Sequence, residues 1–432
     1  MLKSTIARAF TLGFCCIAFT SSSSVAQSGA QASRPDGTEL KFVVILTRHG
    51  VRSPGDEPSR YDRYSALPWP AWNVQPDYLT AHGFKLMTLF GAYDREWLAQ
   101  ESLLSASGCA DAAHVTILAD SDERTRQTGE ALAQGMFPGC EIPVHALPEG
   151  THDPLFHSMP AGTAQTDPAL ETAAIRGRIG GDPNNLTEVY HEQLAALERV
   201  LNGCGHAPAN ARKTVSLFSI PAILAAKKKK AELHGPLDEA SSLTENLLLE
   251  YTNGMPAADV GWGCVDGATL RSLMRLHSAD EDIKDRTPAV ARAGASNLLN
   301  HVLMAIEQQA TGKTVAGAPG KPGDRLLVLV GHDTNIANVA GVLHLDWILD
   351  GRRNDTPPGG ALVFELWHSS TRGWSISVDY TAQTLEQMRE ARILTLHTPP
   401  DRVPVFVPDC GRQDMSCTWP AFQATVRHAL QP

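Results

Sequence analysis

Residues 42–54 read F-V-V-I-L-T-R-H-G-V-R-S-P, a short apolar run followed by two arginines and a histidine. An apolar run rich in β-branched residues is typical of a strand buried on both faces of a parallel sheet. In open α/β sheets, ligands bind at the carboxyl ends of the strands, which is where Thr47 and the residues after it should lie. The stretch therefore predicts an α/β fold with a binding site at this strand end.

The side chains of Arg48, His49 and Arg52 have the chemistry of a phosphate site. Each guanidinium offers a planar fork of donors that matches phosphate oxygens. A neutral imidazole can attack phosphorus, and neighbouring cations disfavour its protonated form, so both arginines should lower the pKa of His49. We predict that His49 is the nucleophile and that Arg48 and Arg52 bind the phosphate. The alternative is a surface loop with a chance cluster of basic residues.

Two later segments repeat the order of strand, polar turn and helix that is typical of α/β proteins. They are a strand at 115–119 before D-S-D-E-R at 120–124, and a strand at 325–330 before G-H-D-T-N at 331–335. We predict that Arg124 and His332 bind the same phosphate, and that Asp333 protonates the leaving oxygen with a pKa raised by the bound dianion. The alternatives are a surface arginine for Arg124 and a helix N-cap for Asp333. Arginines then take the role that a magnesium ion has elsewhere, so we expect neither metal nor cofactor.

Residues 150–290 differ in character from the segments on either side. Helical spacing of apolar residues dominates there, at 186–201, 240–251 and 269–276, and strand-like runs are scarce. Two more strands are predicted beyond this region, at 361–367 and 374–380, as antiparallel neighbours. We therefore predict an α/β core domain formed by residues 27–150 and 291–432, with a smaller, mainly helical domain inserted at 151–290. The run Lys227–Lys230 in the insertion should be a solvated helix face or loop.

Residues 1–26 have the order of a secretory signal peptide. Lys3 and Arg8 precede an apolar stretch at 9–20, and small residues follow up to Ala26, after which we expect cleavage. The apolar stretch is too short to span a membrane, and no later segment offers a span. We expect an exported protein without membrane attachment once the signal is removed.

The composition of the remaining chain excludes some classes of partner. Without residues 1–26, it carries 35 basic and 47 acidic residues, a formal charge of −12. An acidic chain argues against nucleic acid as a partner. Roughly 400 residues are many for one hydrophobic core, which agrees with two domains or a large insertion.

The remaining cysteines are even in number, which in an exported chain suggests disulfides. They are Cys109, Cys140, Cys204, Cys264, Cys410 and Cys417. Many pairings of six cysteines are possible. Cys109 and Cys140 flank one strand-helix unit, and Cys410 and Cys417 close a short loop, which leaves Cys204 with Cys264. Whether these two form a disulfide stays open. The chain contains no C-x-x-C pair, so a zinc or thioredoxin-like site has little support.

Together, T-R-H-G-V-R-S-P and G-H-D-T-N resemble the histidine acid phosphatases, branch 2 of the histidine phosphatase superfamily, which includes bacterial periplasmic phytases and glucose-1-phosphatase. Further stretches look like the enterobacterial phytase, among them D-E-R-T-R-Q-T-G-E at 122–130, H-D-P-L-F at 152–156, R-T-P-x-V-A-R at 286–292 and N-D-T-P-P-G-G at 354–360. The resemblance implies a phosphoglycerate-mutase-like core sheet flanked by helices, with a smaller helical domain. It also implies hydrolysis of small phosphomonoesters at acid pH in the periplasm, and we expect a monomer.

The resemblance also carries over residue by residue. Positions that match the family's functional residues are Arg48, His49, Arg52, Arg124, His332 and Asp333. Glu245 and His277 match residues that line the substrate cavity in the phytases. The pairs Cys109 with Cys140 and Cys410 with Cys417 match family disulfides.

Departures from the family pattern bear on the substrate. Gly55 stands where the family signature usually has threonine, and Asp56 and Glu57 follow where phytases often carry a basic residue. Gly294 stands where the enterobacterial phytase has an arginine. Phytate is densely anionic, so these changes should weaken its binding. A glucose-1-phosphatase-like enzyme with a narrow sugar-phosphate preference is therefore an alternative to a phytase.

Two other functions are weighed against an acid phosphatase. A mutase also uses a phosphohistidine, but a signal peptide argues against it because the metabolites of cytoplasmic mutases are absent outside. A periplasmic phosphate-ester binding protein would need neither His49 nor Asp333.

Overall fold

A computed structural model describes residues 37–431 except residues 57, 207 and 209, so the predicted signal peptide lies outside the described residues. The strands are β1 (Thr38–Arg48), β2 (Val115–Ala119), β3 (Val144–His145), β4 (Ile223–Ala226), β5 (Ala231–His234), β6 (Leu326–Gly331), β7 (Ile348–Leu349), β8 (Arg352–Arg353), β9 (Ala361–Ser369), β10 (Gly373–Ala382), β11 (Asp401–Val405) and β12 (Ser416–Thr418). The α-helices are α1 (Pro58–Tyr61), α2 (Ala81–Gln100), α3 (Glu123–Met136), α4 (Pro168–Arg178), α5 (Asn184–Val189), α6 (His191–Leu201), α7 (Pro236–Thr252), α8 (Gly267–Lys284), α9 (Pro288–Thr311), α10 (Asp333–Leu343), α11 (Leu385–Glu390) and α12 (Trp419–Ala429).

The described residues contain a mixed sheet of eight strands in the order β11-β10-β9-β1-β6-β2-β3, with β12 also paired with β10. The strands β1, β6, β2 and β3 are parallel. The other pairs are antiparallel, including β9 with β10, which confirms the predicted hairpin. Since β1, β6 and β2 are adjacent and parallel, their carboxyl ends meet at one edge of the sheet.

Helices cover both faces of the sheet, as the predicted α/β fold requires. Val44 and Leu46 of β1 belong to a core with α9, α10 and α12 on one face. Val43 and Ile45 belong to a second core with α2 and α3 on the other face. Because side chains alternate along a strand, a strand buried on both faces has a continuous apolar run.

A third hydrophobic cluster contains buried residues of the helices α4 to α8. It also includes residues outside these helices, such as Val51, which follows β1. The segment predicted as one helix at 186–201 is two helices, α5 and α6, which meet at Tyr190 with φ −103° and ψ 17°. This region also contains the hairpin β4–β5, which the sequence did not reveal because both strands are short and half exposed. Lys227–Lys230 form its exposed turn. The domain boundaries near residues 150 and 290 stay a prediction.

The described part of the chain contains three disulfides: Cys109–Cys140, Cys204–Cys264 and Cys410–Cys417. The first and third agree with the pairs expected from the family. The second joins the segment after α6 to the segment before α8 and settles the pairing left open by the sequence. Within the described residues, no helix is long and apolar enough to cross a membrane.

Candidate active site

His49 directly follows β1 and is held by main-chain hydrogen bonds on both sides. Its amide donates to the carbonyl of Gly331 (2.9 Å), and its carbonyl accepts from the amide of Gly359 (3.0 Å). The residue is buried, and ring atom Nδ1 lies 2.8 Å from the carbonyl oxygen of Gly50. A carbonyl can only accept, so Nδ1 carries the proton and Nε2 keeps its lone pair. This is the tautomer in which Nε2 can act as a nucleophile.

The turn after His49 passes close to α2, which explains the glycine at position 50. A Cβ atom there would lie 2.8 Å from Cγ of Met87 and 3.1 Å from Cδ1 of Leu79. The amide of Gly50 donates to Oγ1 of Thr128 in α3 (2.9 Å). The two helices of this face therefore fix the turn that carries His49.

Three arginines from separate positions of the chain lie around His49. Arg48 ends β1 and is fully buried, Arg52 follows the turn, and Arg124 lies in the first turn of α3. In Arg48 and Arg124, Nε is buried and has no hydrogen-bond partner among the described residues, whereas Nε of Arg52 faces the carboxylate of Asp77 at 3.3 Å. An unsatisfied buried donor is unfavourable. Two such donors, together with the charges of three arginines around His49, make this a favourable place for an anion.

The surroundings of His49 keep its imidazole neutral. Burial is the largest cause, and the charges of Arg124, Arg48 and Arg52 add to it, so the pKa of His49 lies well below its usual value of 6.5. The direction agrees with the expectation from the sequence. A neutral imidazole in acid solution is what a nucleophilic histidine requires.

His332 is the N-cap of α10 and lies beside His49, with the ring centroids 5.6 Å apart. Its Nε2 lies 2.7 Å from Oδ2 of Asp120, and Nε2 of His157 lies 2.7 Å from the same oxygen. Burial opposes ionisation of Asp120, but the hydrogen bonds from the two histidines outweigh it and hold its pKa below the usual range. Since Nε2 is used by Asp120, the other nitrogen of His332, Nδ1, faces Arg124 at 3.5 Å.

Asp333 opens α10, and its carboxylate lies between that helix and Arg48. Oδ2 is 2.8 Å from the guanidinium of Arg48, and Oδ1 accepts from the amide of Thr334 (2.7 Å). Burial raises the pKa of Asp333, but the charges of Arg48, His277 and His332 outweigh burial, so the pKa is lowered. The sequence predicted a raised pKa with a phosphate dianion present. In the ligand-free protein, the carboxylate is ionised.

Glu245 and His277, the two predicted cavity residues, come from α7 and α8. Oε1 of Glu245 accepts hydrogen bonds from Arg48 and from Arg52, the latter at 3.3 Å. Nδ1 of His277 lies 3.0 Å from Oγ of Ser241, while Nε2 has no hydrogen-bond partner among the described residues. The structure thus brings all eight predicted residues into one cluster, which joins the sheet edge to the helices α7 and α8.

Sequence reasoning missed five residues of this cluster, four of them acidic. They are Asp77, Asp120, Asp122, His157 and Glu281. Asp120 and Asp122 follow β2 directly, so their position at a strand end was a usable signal. Glu281 lies four residues after His277 on the same helix face. Asp77 lies in no motif, and no sequence signal identified it.

Glu281 is a buried carboxyl group next to the predicted proton donor. Its carboxyl group accepts a hydrogen bond from the hydroxyl of Thr356 (2.9 Å). The main-chain carbonyl of Thr356 accepts a hydrogen bond from Arg48 (2.7 Å). Burial and the nearby charge of Asp333 raise the pKa of Glu281 well above its usual value. Glu281 therefore holds a proton more readily than Asp333 does.

Two groups in this cluster have the composition of a metal site. Asp120, Asp122, His157 and His332 form one, and His277, Glu281 and Asp333 form the other; within each group the possible ligand atoms lie within 4.8 Å of one another. In the first group, the histidines already donate to Asp120. Arg124 pairs with Asp122 (2.7 Å), which places a positive charge where a cation would bind.

The positions that depart from the family pattern lie in different settings. Gly55 is next to Asp77, and Asp56 accepts from the hydroxyl of Tyr61 (2.7 Å). Gly294 lies in α9, where a Cβ would come within 1.5 Å of Oδ1 of Asn338 in α10, so the glycine allows these helices to approach. Glu57 lies outside the described residues.

A profile of the histidine phosphatase superfamily (branch 2) matches residues 39–381. The chain belongs to this family. It is 36% identical over 422 residues to phytase AppA of Escherichia coli (strain K12), covering 94% of this chain and 95% of that one. It is also 30% identical over 394 residues to a glucose-1-phosphatase of Salmonella typhimurium, covering 89% and 91%. The predicted family is confirmed, and the protein is a histidine acid phosphatase.

Solved structures agree with this assignment. The Hafnia alvei phytase in complex with tartrate has a TM-score of 0.84 and 35% sequence identity, covering 92% of this chain and 99% of that chain. The phytase from Citrobacter braakii has a TM-score of 0.83 and 33% identity, covering 91% and 98%. The predicted fold, an α/β core sheet flanked by helices, is confirmed.

Proposed function

We propose that the protein is a periplasmic acid phosphatase that hydrolyses small phosphomonoesters through a covalent phosphohistidine on His49. Nε2 of His49 attacks phosphorus and the bond to the ester oxygen breaks. Arg48, Arg52 and Arg124 hold the phosphoryl oxygens. The observation that carries the proposal is the ring of His49, which is neutral, has Nδ1 hydrogen-bonded to the carbonyl of Gly50 and lies among three arginines.

The proton for the leaving oxygen passes through Asp333. In the free protein this carboxylate is ionised, because Arg48 pairs with it. A phosphomonoester has a second pKa of about 6, so in acid solution it binds as a monoanion that carries one proton. Asp333 accepts that proton and gives it to the departing alkoxide, which leaves as an alcohol. The need for a protonated substrate is consistent with activity at acid pH.

Hydrolysis of the phosphohistidine completes the reaction. Asp333, now ionised again, takes a proton from a water molecule that attacks phosphorus, and the bond to Nε2 of His49 breaks. His332 lies next to His49 and is held by Asp120, so Nδ1 of its ring is available to the phosphoryl group. A bound phosphate favours the doubly protonated form of His332, in which Nδ1 donates a hydrogen bond.

The relatives' names indicate the class of substrate. They are phytases and glucose-1-phosphatases, so we propose that the substrate is phytate, a sugar phosphate or a similar small monoester. A narrow sugar-phosphate preference is the second candidate. It is favoured by the carboxylate of Asp77, which pairs with Arg52 and Arg124 at the exposed side of the cluster. In either case, we expect Glu245 and His277 to contact the substrate.

The covalent intermediate can be trapped with the variant Asp333→Asn and p-nitrophenyl phosphate. Nitrophenolate leaves without a proton, so the first step stays fast, while loss of the base slows the second step by about a hundredfold or more. We expect a burst of nitrophenol equal to the enzyme concentration, and phosphate on His49 after an alkaline quench. The double variant with His49→Ala is the matched control and should show neither. Hydrolysis that persists in His49→Ala would refute the nucleophile assignment.

The same variant tests the acid role of Asp333. Asp333→Asn should lower kcat/KM, which reports the first step, about tenfold or more for glycerol 2-phosphate, whose leaving group needs a proton, beyond its effect on kcat/KM for nitrophenyl phosphate. Equal losses on both substrates would count against proton donation.

Substrate, location and assembly need separate measurements. A comparison of kcat/KM for phytate, glucose 1-phosphate and nitrophenyl phosphate ranks the two candidate functions. The proposed periplasmic location rests on the signal-peptide pattern at residues 1–26 and is supported by three disulfides, and cell fractionation tests it. Light scattering tests the proposed monomer.

A further inference from the structure

Asp77 is a carboxylate that joins two of the three phosphate-binding arginines. Oδ1 lies 3.3 Å from Nε of Arg52, and Oδ2 lies 3.1 Å from a terminal nitrogen of Arg124. The other acidic partners of the arginines are Glu245, Asp333 and Asp122, whose side chains are 16%, 19% and 30% exposed. Asp77 is 42% exposed. It is therefore the partner on the solvent side, where a substrate must enter and where its leaving group must project.

The backbone holds Asp77 in this place. Its amide donates to the carbonyl of Pro54 (3.1 Å), and the amide of Tyr78 donates to the carbonyl of Gln75 (3.2 Å). Asp77 has a φ of 72°, in the left-handed region, so its turn is fixed by local geometry rather than by the ion pairs alone.

The residue opposite Asp77 leaves room for its carboxylate. A Cβ at Gly55 would lie 3.1 Å from Oδ1 and 3.3 Å from Cγ of Asp77. A larger side chain at this position would press on the carboxylate. Gly55 stands where the family usually has threonine. It lies beside the carboxylate that pairs with Arg52 and Arg124.

A carboxylate at this point has two effects on anionic ligands. It competes with a phosphoryl group for Arg52 and Arg124, which weakens the binding of every phosphate. Its negative charge also lies beside the space for the leaving group, where further phosphates of a polyanionic substrate would be repelled. The first effect is shared by all substrates, whereas the second depends on how many phosphates a substrate carries.

We propose that Asp77 is a specificity-determining residue whose carboxylate, paired with Arg52 and Arg124, selects esters with one phosphate over esters with several. This inference rests on the proposed function, because it assigns the substrate class of the same site. The competing explanation is that Asp77 only positions the two arginines. The two explanations predict opposite effects of removing the charge.

Binding of non-hydrolysable anions tests the proposal without relying on catalysis. The variant Asp77→Asn removes the charge, and asparagine tolerates a positive φ; Asp77→Gly also fits this backbone. We would measure dissociation constants for inorganic phosphate and for myo-inositol hexakissulfate by calorimetry. The matched control is Asp414→Asn, which removes the same charge from a side chain that is 44% exposed but pairs with Arg372 and Arg412, away from this cluster.

In Asp77→Asn, the affinity for phosphate should rise about fivefold, the order expected when two partly exposed ion pairs no longer compete. The affinity for the hexakissulfate should rise further, by about twentyfold, since a repulsion is removed as well. Asp414→Asn should change the ratio of the two affinities by less than about twofold.

Three results would overturn the proposal: an unchanged ratio in Asp77→Asn, weaker binding of both anions, or an equal change of the ratio in Asp414→Asn. Weaker binding of both would identify Asp77 as a positioning residue. The kinetic counterpart is the ratio of kcat/KM for phytate to that for nitrophenyl phosphate, which should rise in Asp77→Asn. Failure of the proposed function has a different signature, since the unaltered protein would then show no hydrolysis that depends on His49.

Discussion

Replacing Glu250 with glutamine should make the stability of the protein less dependent on pH. Glu250 lies in α7 and is 1% exposed. One carboxylate oxygen accepts a hydrogen bond from the amide of Gly261 (2.9 Å). Burial raises the pKa of Glu250 to about 8, although the hydrogen bond from Gly261 favours the ionised form. Glu250 is therefore protonated in the folded protein at neutral pH.

The direction of the effect follows from the protons bound in each state. Between its unfolded pKa, near 4.5, and its folded pKa, about 8, Glu250 is protonated in the folded protein and ionised in the unfolded chain. The unfolded state binds fewer protons there, so stability falls as pH rises, by about 1.4 kcal/mol per pH unit from this group. From about pH 5 to about pH 7.5, the loss amounts to about 3 kcal/mol. Glutamine has no proton to lose and removes this contribution.

Urea unfolding at these two pH values measures the effect in three proteins. The unaltered protein should lose about 3 kcal/mol more stability on going to the higher pH than Glu250→Gln does. Other buried acids, such as Asp94 with a pKa of about 8 and Asp285 with a pKa of about 7, contribute equally to both and cancel. Glu192→Gln, on an exposed position of α6, is the control and should follow the unaltered protein. Parallel pH profiles for Glu250→Gln and the unaltered protein would refute the reasoning.

Two further predictions concern packing and cross-linking. Gly135→Ala should lower the free energy of unfolding by about 2–3 kcal/mol, because a Cβ would lie 1.9 Å from the carbonyl oxygen of Thr88 where α3 crosses α2. Thermal unfolding checks it against Gly177→Ala, whose Cβ meets no atom within 4 Å; equal Tm values for the two variants would contradict it. Replacing Cys204 and Cys264 together by serine should cost about 2–4 kcal/mol, because the disulfide spans 60 residues. Denaturant unfolding measures this, and an unchanged midpoint would argue against it.

The sheet edge and its basic residues were predictable because their physical causes are local. A strand buried on both faces needs an unbroken apolar run, and Phe42–Leu46 has one. The arginines and histidines that follow three strands are unusual enough in type and position to be recognised. The adjacency of β1, β6 and β2 then places Arg48, Arg124 and His332 together without any knowledge of the loops.

The acidic part of the site was less accessible to sequence reasoning. Carboxylates are common in turns, and nothing local distinguishes Asp77 from a solvated aspartate. Asp77 is important because it forms ion pairs with Arg52 and Arg124, which lie in other segments of the chain and come close to it only in the folded protein. The break at Tyr190 was hidden for a related reason: the apolar spacing continues from Leu186 to Leu194, so periodicity alone cannot show where one helix ends.

The central position of β1 has a consequence for how the chain reaches its folded state. Val43 pairs with Leu326 in β6, and Thr38 pairs with Ser369 in β9, so both neighbours of the first strand are synthesised near the end of the chain. Contacts between such distant segments slow folding, and an apolar strand with two open edges can pair with other chains in the meantime. A chain that ended before β6 would lack β6 and β9, the two strands that pair with β1. It would also lack His332 and Asp333. Production of the enzyme should therefore depend on how well the unfinished chain is shielded from aggregation.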